Sequence, residues 1–264
     1  LDFLSVEIDA AGYERFDKPV EVRFSDTVIS AQFNTDTFNA VEIDQSGSIV
    51  DKQVPAQFVN NPDVNTHGKI ILLLKGHTAA DTLRYFRIYL EPADEQLKPL
   101  VTVKDNIPYQ GQDSYLIKTP IAEYYYHKDG AGFASIIDKD GNDWISYRPG
   151  GRSAGEFRGI PNLGQWGHPG YDNSKSEIVS EGPICVRIKS ETRDGQRQLY
   201  WDIYPNYAEL TITKHGGKYW FLYEGTPGGK IEYDNDTCTR PVEPNGLTTS
   251  CGKIWVGDIT PSGG

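Results

Sequence analysis

The stretch from Arg148 to Tyr171 concentrates side chains that can do chemistry on a backbone shaped by glycine and proline. It reads Arg148-Pro149-Gly150-Gly151-Arg152-Ser153-Ala154-Gly155-Glu156-Phe157-Arg158-Gly159-Ile160-Pro161-Asn162-Leu163-Gly164-Gln165-Trp166-Gly167-His168-Pro169-Gly170-Tyr171. A long connection of this composition is a typical carrier of a functional site. His168 and Tyr171 have hydrogen-bonding groups that can move a proton, so they are the candidate acid and base. Arg158 and Asn162 can hold a carboxylate or hydroxyls, with Arg152 as a further ligand contact, and Trp166 offers a flat face to a sugar ring. The other reading of the same residues has Trp166 and Phe157 plugging the edge of a β-sandwich, with Arg158 paired to Glu156 or Glu181.

Two aromatic runs add to this set. In Tyr124-Tyr125-Tyr126-His127 the period of a strand puts Tyr124 and Tyr126 on one face and Tyr125 and His127 on the other. One face must pack, so one pair at most meets a ligand; Tyr126 is taken as the substrate contact. The second run is Lys218-Tyr219-Trp220-Phe221-Leu222-Tyr223-Glu224-Gly225-Thr226-Pro227-Gly228-Gly229-Lys230. It ends with Glu224 beside a rigid turn. With Trp201-Asp202-Ile203-Tyr204 on a neighbouring strand, it can bring Trp201, Asp202 and Glu224 to a sugar cleft.

The elements that must position these residues are strands. Pro19–Phe24, Ala40–Asp44 and Ser48–Val50 alternate or turn as half-buried strands do, and Gln57–Val59, Lys69–Leu74 and Arg84–Leu90 continue the series. Only Thr78–Leu83 leaves room for a short helical turn. About seven strands over roughly a hundred residues fit a small immunoglobulin-like sandwich. The polar, proline-containing segment Glu91–Pro99 is the linker candidate, dividing the chain into modules 1–95 and 96–264. Strands recur in the second module at Tyr115–Thr119, Ile121–His127, Phe133–Ile137, Trp144–Tyr147, Ile184–Lys189, Leu199–Tyr204, Ala208–Thr213, Tyr219–Tyr223 and Lys253–Val256. The fold class is therefore all-β, a small sandwich followed by a larger antiparallel one.

Composition narrows the partners. The 264-residue chain carries a formal net charge of -11, which argues against nucleic acid and against anionic membrane surfaces. Its longest apolar run, Ile70–Leu74, is far short of the roughly 20 residues of a membrane span. The chain begins at Leu1 and contains no methionine, which reads as a removed leader or a start inside a longer gene. Cys238 and Cys251 bracket a turn-rich loop, as a disulfide would, whereas Cys185 sits in an apolar strand; Asn235-Asp236-Thr237 matches a glycosylation acceptor. Together these point to a secreted protein. Asp138-Lys139-Asp140-Gly141-Asn142-Asp143 has calcium-like composition but lacks the ligand spacing of an EF-hand loop, so a hairpin turn is expected there and no cofactor or metal is assigned. His67, His77, His127, His168 and His215 are scattered without metal-ligand spacing.

A small β-sandwich followed by a module bearing Glu156-Phe157-Arg158-Gly159-Ile160-Pro161-Asn162 and Tyr219 to Gly229 resembles secreted carbohydrate-active proteins. Residues 115–264 are similar in layout to the galactose-mutarotase-like supersandwich of several polysaccharide lyases and glycoside hydrolases. The resemblance implies a polysaccharide ligand on a concave sheet and, with uronic acids in that polymer, cleavage by β-elimination. Tyr171 and His168 would then serve as base and acid, and Arg158 and Asn162 would steady the uronate carboxylate. A full supersandwich has more strands than this module offers, so the module is either incomplete at its C-terminal end or a smaller sandwich. The competing expectation is a non-catalytic carbohydrate-binding or adhesion protein using the same aromatic surface.

Overall fold

A computed structural model describes residues 3–23, 38–59, 68–91, 97–149 and 166–217, with 162–163, 221–222, 237–242 and 247–253 described by backbone alone. Every regular element among them is a strand. Seven strands build the first module: β1 (Phe3–Asp9), β2 (Arg15–Arg23), β3 (Asn39–Ile43), β4 (Ile49–Val54), β5 (Ala56–Val59), β6 (Lys69–Thr78) and β7 (Leu83–Tyr89). They form two antiparallel sheets ordered β1-β7-β3-β4 and β2-β6-β5. Val6, Val54, Phe58, Ile70, Leu72, Phe86 and Ile88 fill the space between the sheets. The segment Thr78–Leu83 is a turn that carries the chain from one sheet to the other rather than a helical one, with Ala80 and Thr82 carbonyls accepting the N–H groups of Gly12 and Ala10.

The unbroken apolar run in β6 has a physical cause. Ile70, Leu72 and Leu74 point into the first module's core, while Ile71 and Leu73 on the other face pack against Ile184, Cys185 and Tyr204 of the second module. A strand covered on both faces has no solvent side to alternate toward. Polar contacts close the same junction. The Gln57 side chain accepts N–H bonds from Ile184 (3.1 Å) and Cys185 (2.8 Å) and donates to the Cys185 carbonyl (2.8 Å). Lys69 pairs with Glu21 of its own module and with Asp202 of the other, and Arg187 also meets Asp202 at 3.3 Å. Leu100 and Val101 donate to the Pro183 carbonyl where the chain crosses over.

The second module packs two four-stranded antiparallel meanders face to face. One contains β8 (Thr102–Tyr109), β9 (Gln112–Lys118), β10 (Ala122–His127) and β11 (Gly132–Asp138). The other contains β13 (Ser174–Glu181), β14 (Val186–Thr192), β15 (Gln198–Ile203) and β16 (Ala208–Lys214). Tyr115, Ile117, Tyr124, Tyr126, Phe133, Ile188, Leu199, Trp201 and Ile203 form the core between them. The Tyr126 hydroxyl finds Ser190 at 2.8 Å, and Ser190 in turn meets Ser176 at 2.7 Å, so this deep polar atom is satisfied. Two short ladders complete the described part: β12 (Asn162–Leu163) with β17 (Phe221–Leu222), and β18 (Thr237–Val242) with β19 (Leu247–Lys253). The molecule is thus an all-β sandwich protein. Cys185 is a buried free thiol. In the last ladder Cys238 stands opposite Gly252 and Cys251 opposite Thr239; the side chains expected to bridge lie outside the described residues, as does Asn235.

Candidate functional site

The site forms at one end of the β8–β11 sheet, on the face turned away from the core. Pairing in register puts Tyr125 opposite Leu116 and His127 opposite Ser114, so Tyr125 and His127 share the outer face while Tyr124 and Tyr126 face inward. Tyr109 stacks on Tyr125 with ring centroids 3.9 Å apart. Its hydroxyl meets Ser135 Oγ at 2.6 Å, and Ser135 donates to Asp143 at 2.6 Å. Burial is the main reason the Tyr109 hydroxyl is held above its ordinary pKa. Asp143 is fixed in turn by the backbone N–H groups of Ile136, Ile145 and Ser146. That brace sets the chain running beside β11 and delivers Tyr147 to the end of the sheet.

Tyr147 then stands between two histidines. Its ring is edge-on to His127 (5.7 Å, 89°) and to His168 (5.9 Å, 82°). His168 stacks on Tyr171 at 4.8 Å, so the candidate acid and base named from sequence do lie side by side. The Gly130–Gly132 turn after β10 makes this approach possible. A Cβ on Gly130 would sit 2.5 Å from the His168 carbonyl, and one on Gly132 would sit 2.6 Å from the Gly167 carbonyl. Gly170 is under two demands: its φ of +85° and the Tyr147 hydroxyl occupying the place of a side chain. Four non-glycine residues near this end of the sheet have positive φ, Asn106 at the bulge within β8 and Gln110, Ala131 and Ser146 in the connections, the kind of backbone cost that clusters at functional sites.

Hydrogen bonds decide the chemical state of the histidines. Nδ1 of His168 lies 2.7 Å from the Pro169 carbonyl. A carbonyl only accepts, so Nδ1 carries the proton and Nε2 of the neutral ring is the basic nitrogen. His127 has the opposite tautomer: its Nδ1 accepts the Gly170 N–H at 3.0 Å, leaving the proton on Nε2. That buried Nε2–H has no hydrogen-bond partner of normal geometry. Burial pushes the His127 imidazole down to about 4; the Tyr109 backbone opposes the fall and the neighbouring His168 adds to it. His127 is therefore neutral at ordinary pH. Burial also raises the Tyr147 hydroxyl, with Tyr171 contributing. Arg148 follows at once and is exposed.

The remaining sequence candidates are placed differently. Trp166 is 1% exposed and belongs to the core, so it presents no face to a sugar; Phe157 and Arg158, its partners in the edge-plugging alternative, lie outside the described residues. Tyr126 (0%) and Trp201 (8%) are core residues for the same reason, since each points between the two sheets. Asp202 is 2% exposed within the junction ion cluster, away from any cleft. Backbone pairing puts Asn162 opposite Leu222 and Leu163 opposite Phe221. The side chain of Asn162, and Arg152, Arg158 and Glu224 entirely, lie outside the described residues. His127, Tyr147 and the Tyr109–Tyr125 stack were not singled out as site residues from sequence. For His127 the signal existed in the two-residue alternation of its strand; for Tyr147, which enters through the Asp143 brace, it did not. The Asp138 segment is a hairpin turn as read, its carboxylate accepting N–H bonds from Asp140, Asn142 and the Trp144 indole.

Comparison with family profiles, curated proteins and solved structures returns no match to this chain.

Proposed function

We propose that this chain is a secreted enzyme that cleaves a uronic-acid-containing polysaccharide by β-elimination. The observation that carries the reading is the stacked His168–Tyr171 pair, with the proton of His168 committed to Nδ1 and a basic Nε2 on the other side of the ring. In the reaction the roles expected from the resemblance are exchanged, because the Nδ1 proton of His168 is spent on the Pro169 carbonyl: Nε2 takes the proton from the carbon that bears the carboxylate. The electrons of that C–H bond form the ring double bond, the neighbouring C–O bond breaks, and the leaving oxygen takes the proton of the Tyr171 hydroxyl. Imidazolium and tyrosinate then re-equilibrate through solvent, which reaches Tyr171, 43% exposed. Arg158 and Asn162 are assigned to the carboxylate, where fixed donors stabilise the charge that develops after proton removal.

The aromatic outer face supports a second reading, non-catalytic carbohydrate binding. Tyr109 and Tyr125 are stacked there, and Trp144 is 37% exposed with its indole fixed by Asp138. The two readings separate on a panel of uronic-acid and neutral polysaccharides, followed by ultraviolet absorbance of unsaturated ends and by affinity electrophoresis. Absorbance growth that disappears in His168→Ala and Tyr171→Phe supports the lyase. Retardation in the gel without any new absorbance or reducing ends supports binding alone.

A further inference from the structure

We infer that His127 is the positioning residue of this site: its Nδ1, by accepting the Gly170 N–H, sets the turn that holds His168 and Tyr171 in their stack. The inference rests on the reading of His168 and Tyr171 as the reacting pair.

Four observations converge on it. The bond spans 43 positions and links the end of a sheet strand to the middle of the turn between the two stacked residues. Gly170 is the residue of that turn least able to move, with its left-handed φ and with the Tyr147 hydroxyl against its α-carbon. The turn's own closing bond, from the Tyr171 N–H to the His168 carbonyl, is long at 3.3 Å, so it cannot fix the spacing by itself. Finally, His127 is fully buried, and its Nε2–H meets only the Tyr109 backbone, outside normal hydrogen-bond geometry. A buried donor with so poor a bond opposes folding, so packing alone gives no reason for a histidine here. A residue is needed that presents an acceptor at the Nδ1 position and a ring for Tyr147 to meet edge-on.

The same geometry explains why the two histidines have different duties. They share the Tyr147 ring as a neighbour but have opposite tautomers, one nitrogen of each being spent on the 168–171 turn. His127 spends its acceptor on the turn and has only a buried donor left. His168 spends its donor on the turn, so its basic nitrogen is Nε2.

The test uses the full chain with 15N labelling. In the unmodified protein, a through-hydrogen-bond coupling should connect His127 Nδ1 with the Gly170 amide nitrogen. Its absence would overturn the inference without any variant being made. Two variants then separate the acceptor from the ring. His127→Asn keeps an oxygen near the Nδ1 position, and His127→Phe keeps a ring without an acceptor. In H127F the Gly170 amide should exchange with solvent at least tenfold faster, and kcat on the uronate polymer should fall about 100-fold with KM within about twofold, the scale expected of a small misplacement. H127N should stay within about threefold of the parent in both. Unchanged Gly170 exchange in H127F overturns the assignment, and so does an equal loss of kcat in both variants. If the parent turns over no uronate polymer, the proposed function fails, while the coupling and the exchange rates still decide whether His127 sets the turn.

Discussion

In the unfolded chain residue 127 takes up a proton near pH 6.5, whereas in the fold it resists protonation until about pH 4. Between these values the unfolded state binds more protons than the folded one, so the His127 contribution to stability falls as pH falls through this window. Denaturant unfolding measured from pH 7 to pH 4 should show a loss on the order of 2 kcal/mol from this group, and His127→Asn should flatten that part of the profile. Trp166 makes a second test at the same scale. As a core residue with an unpartnered indole N–H, it should cost about 3–5 kcal/mol when replaced by Ala and much less when replaced by Phe, which keeps ring volume and removes the orphan donor. Chemical denaturation of the two variants measures the difference. Sequence reasoning found His168 and Tyr171 because their types suit proton transfer and the chain places them three residues apart. It took Trp166 for a ligand platform because a tryptophan among glycines and prolines looks exposed. What buries it is the aromatic core between the two sheets of the second module, which no local pattern records. Tyr126 shows a different failure. The alternation correctly separated its face from that of Tyr125 and His127, but only its packing on Phe133, which in turn meets Trp201, says which face is the inner one.

The elements that build the site are a hairpin and a brace. The tip between β10 and β11 is a shelf of two glycines under the His168–Tyr171 turn, and the Asp143 carboxylate holds the chain that carries Tyr147. Gly132→Ala should push the Gly167 carbonyl and Pro169 off the shelf, because the new methyl would lie 2.6 Å from that oxygen. The expected outcome is a folded protein whose Tyr171 ring no longer shows the upfield proton shifts of stacking on His168, with kcat reduced by roughly the same factor as in H127F. Retained ring shifts would mean that the turn is set elsewhere. The strands themselves were largely legible, because period-two alternation and the Gly and Asp turns mark them one at a time. Which turns meet was not legible. The 168–171 turn reaches the end of β10 only because β11 and its following brace fold back over it, and that is a property of sheet order rather than of any single strand.

At the scale of the molecule, two sandwiches share one continuous buried junction. The apolar run of β6 announced a buried strand, but its second buried face belongs to the other module, and a sequence divided at a linker treats the modules as independent. Gln57 is the clearest device of the junction, with bonds to both backbone N–H groups of Ile184-Cys185 and to the Cys185 carbonyl. Gln57→Leu should leave those groups buried and unpaired at a cost of about 3 kcal/mol. Both modules of the parent should unfold in a single urea transition; a variant that unfolds in two would show the junction to be the coupling element. The central claim is the proposal that His168 and Tyr171, stacked at the end of the β8–β11 sheet, act as base and acid. The most direct measurement is the rate at which unsaturated ends appear, by ultraviolet absorbance, when the full chain meets a panel of uronic-acid polysaccharides. The account predicts growth of that absorbance on at least one polymer and its loss, with folding intact, in both His168→Ala and Tyr171→Phe. No growth on any uronate polymer, or undiminished growth in both variants, would contradict it.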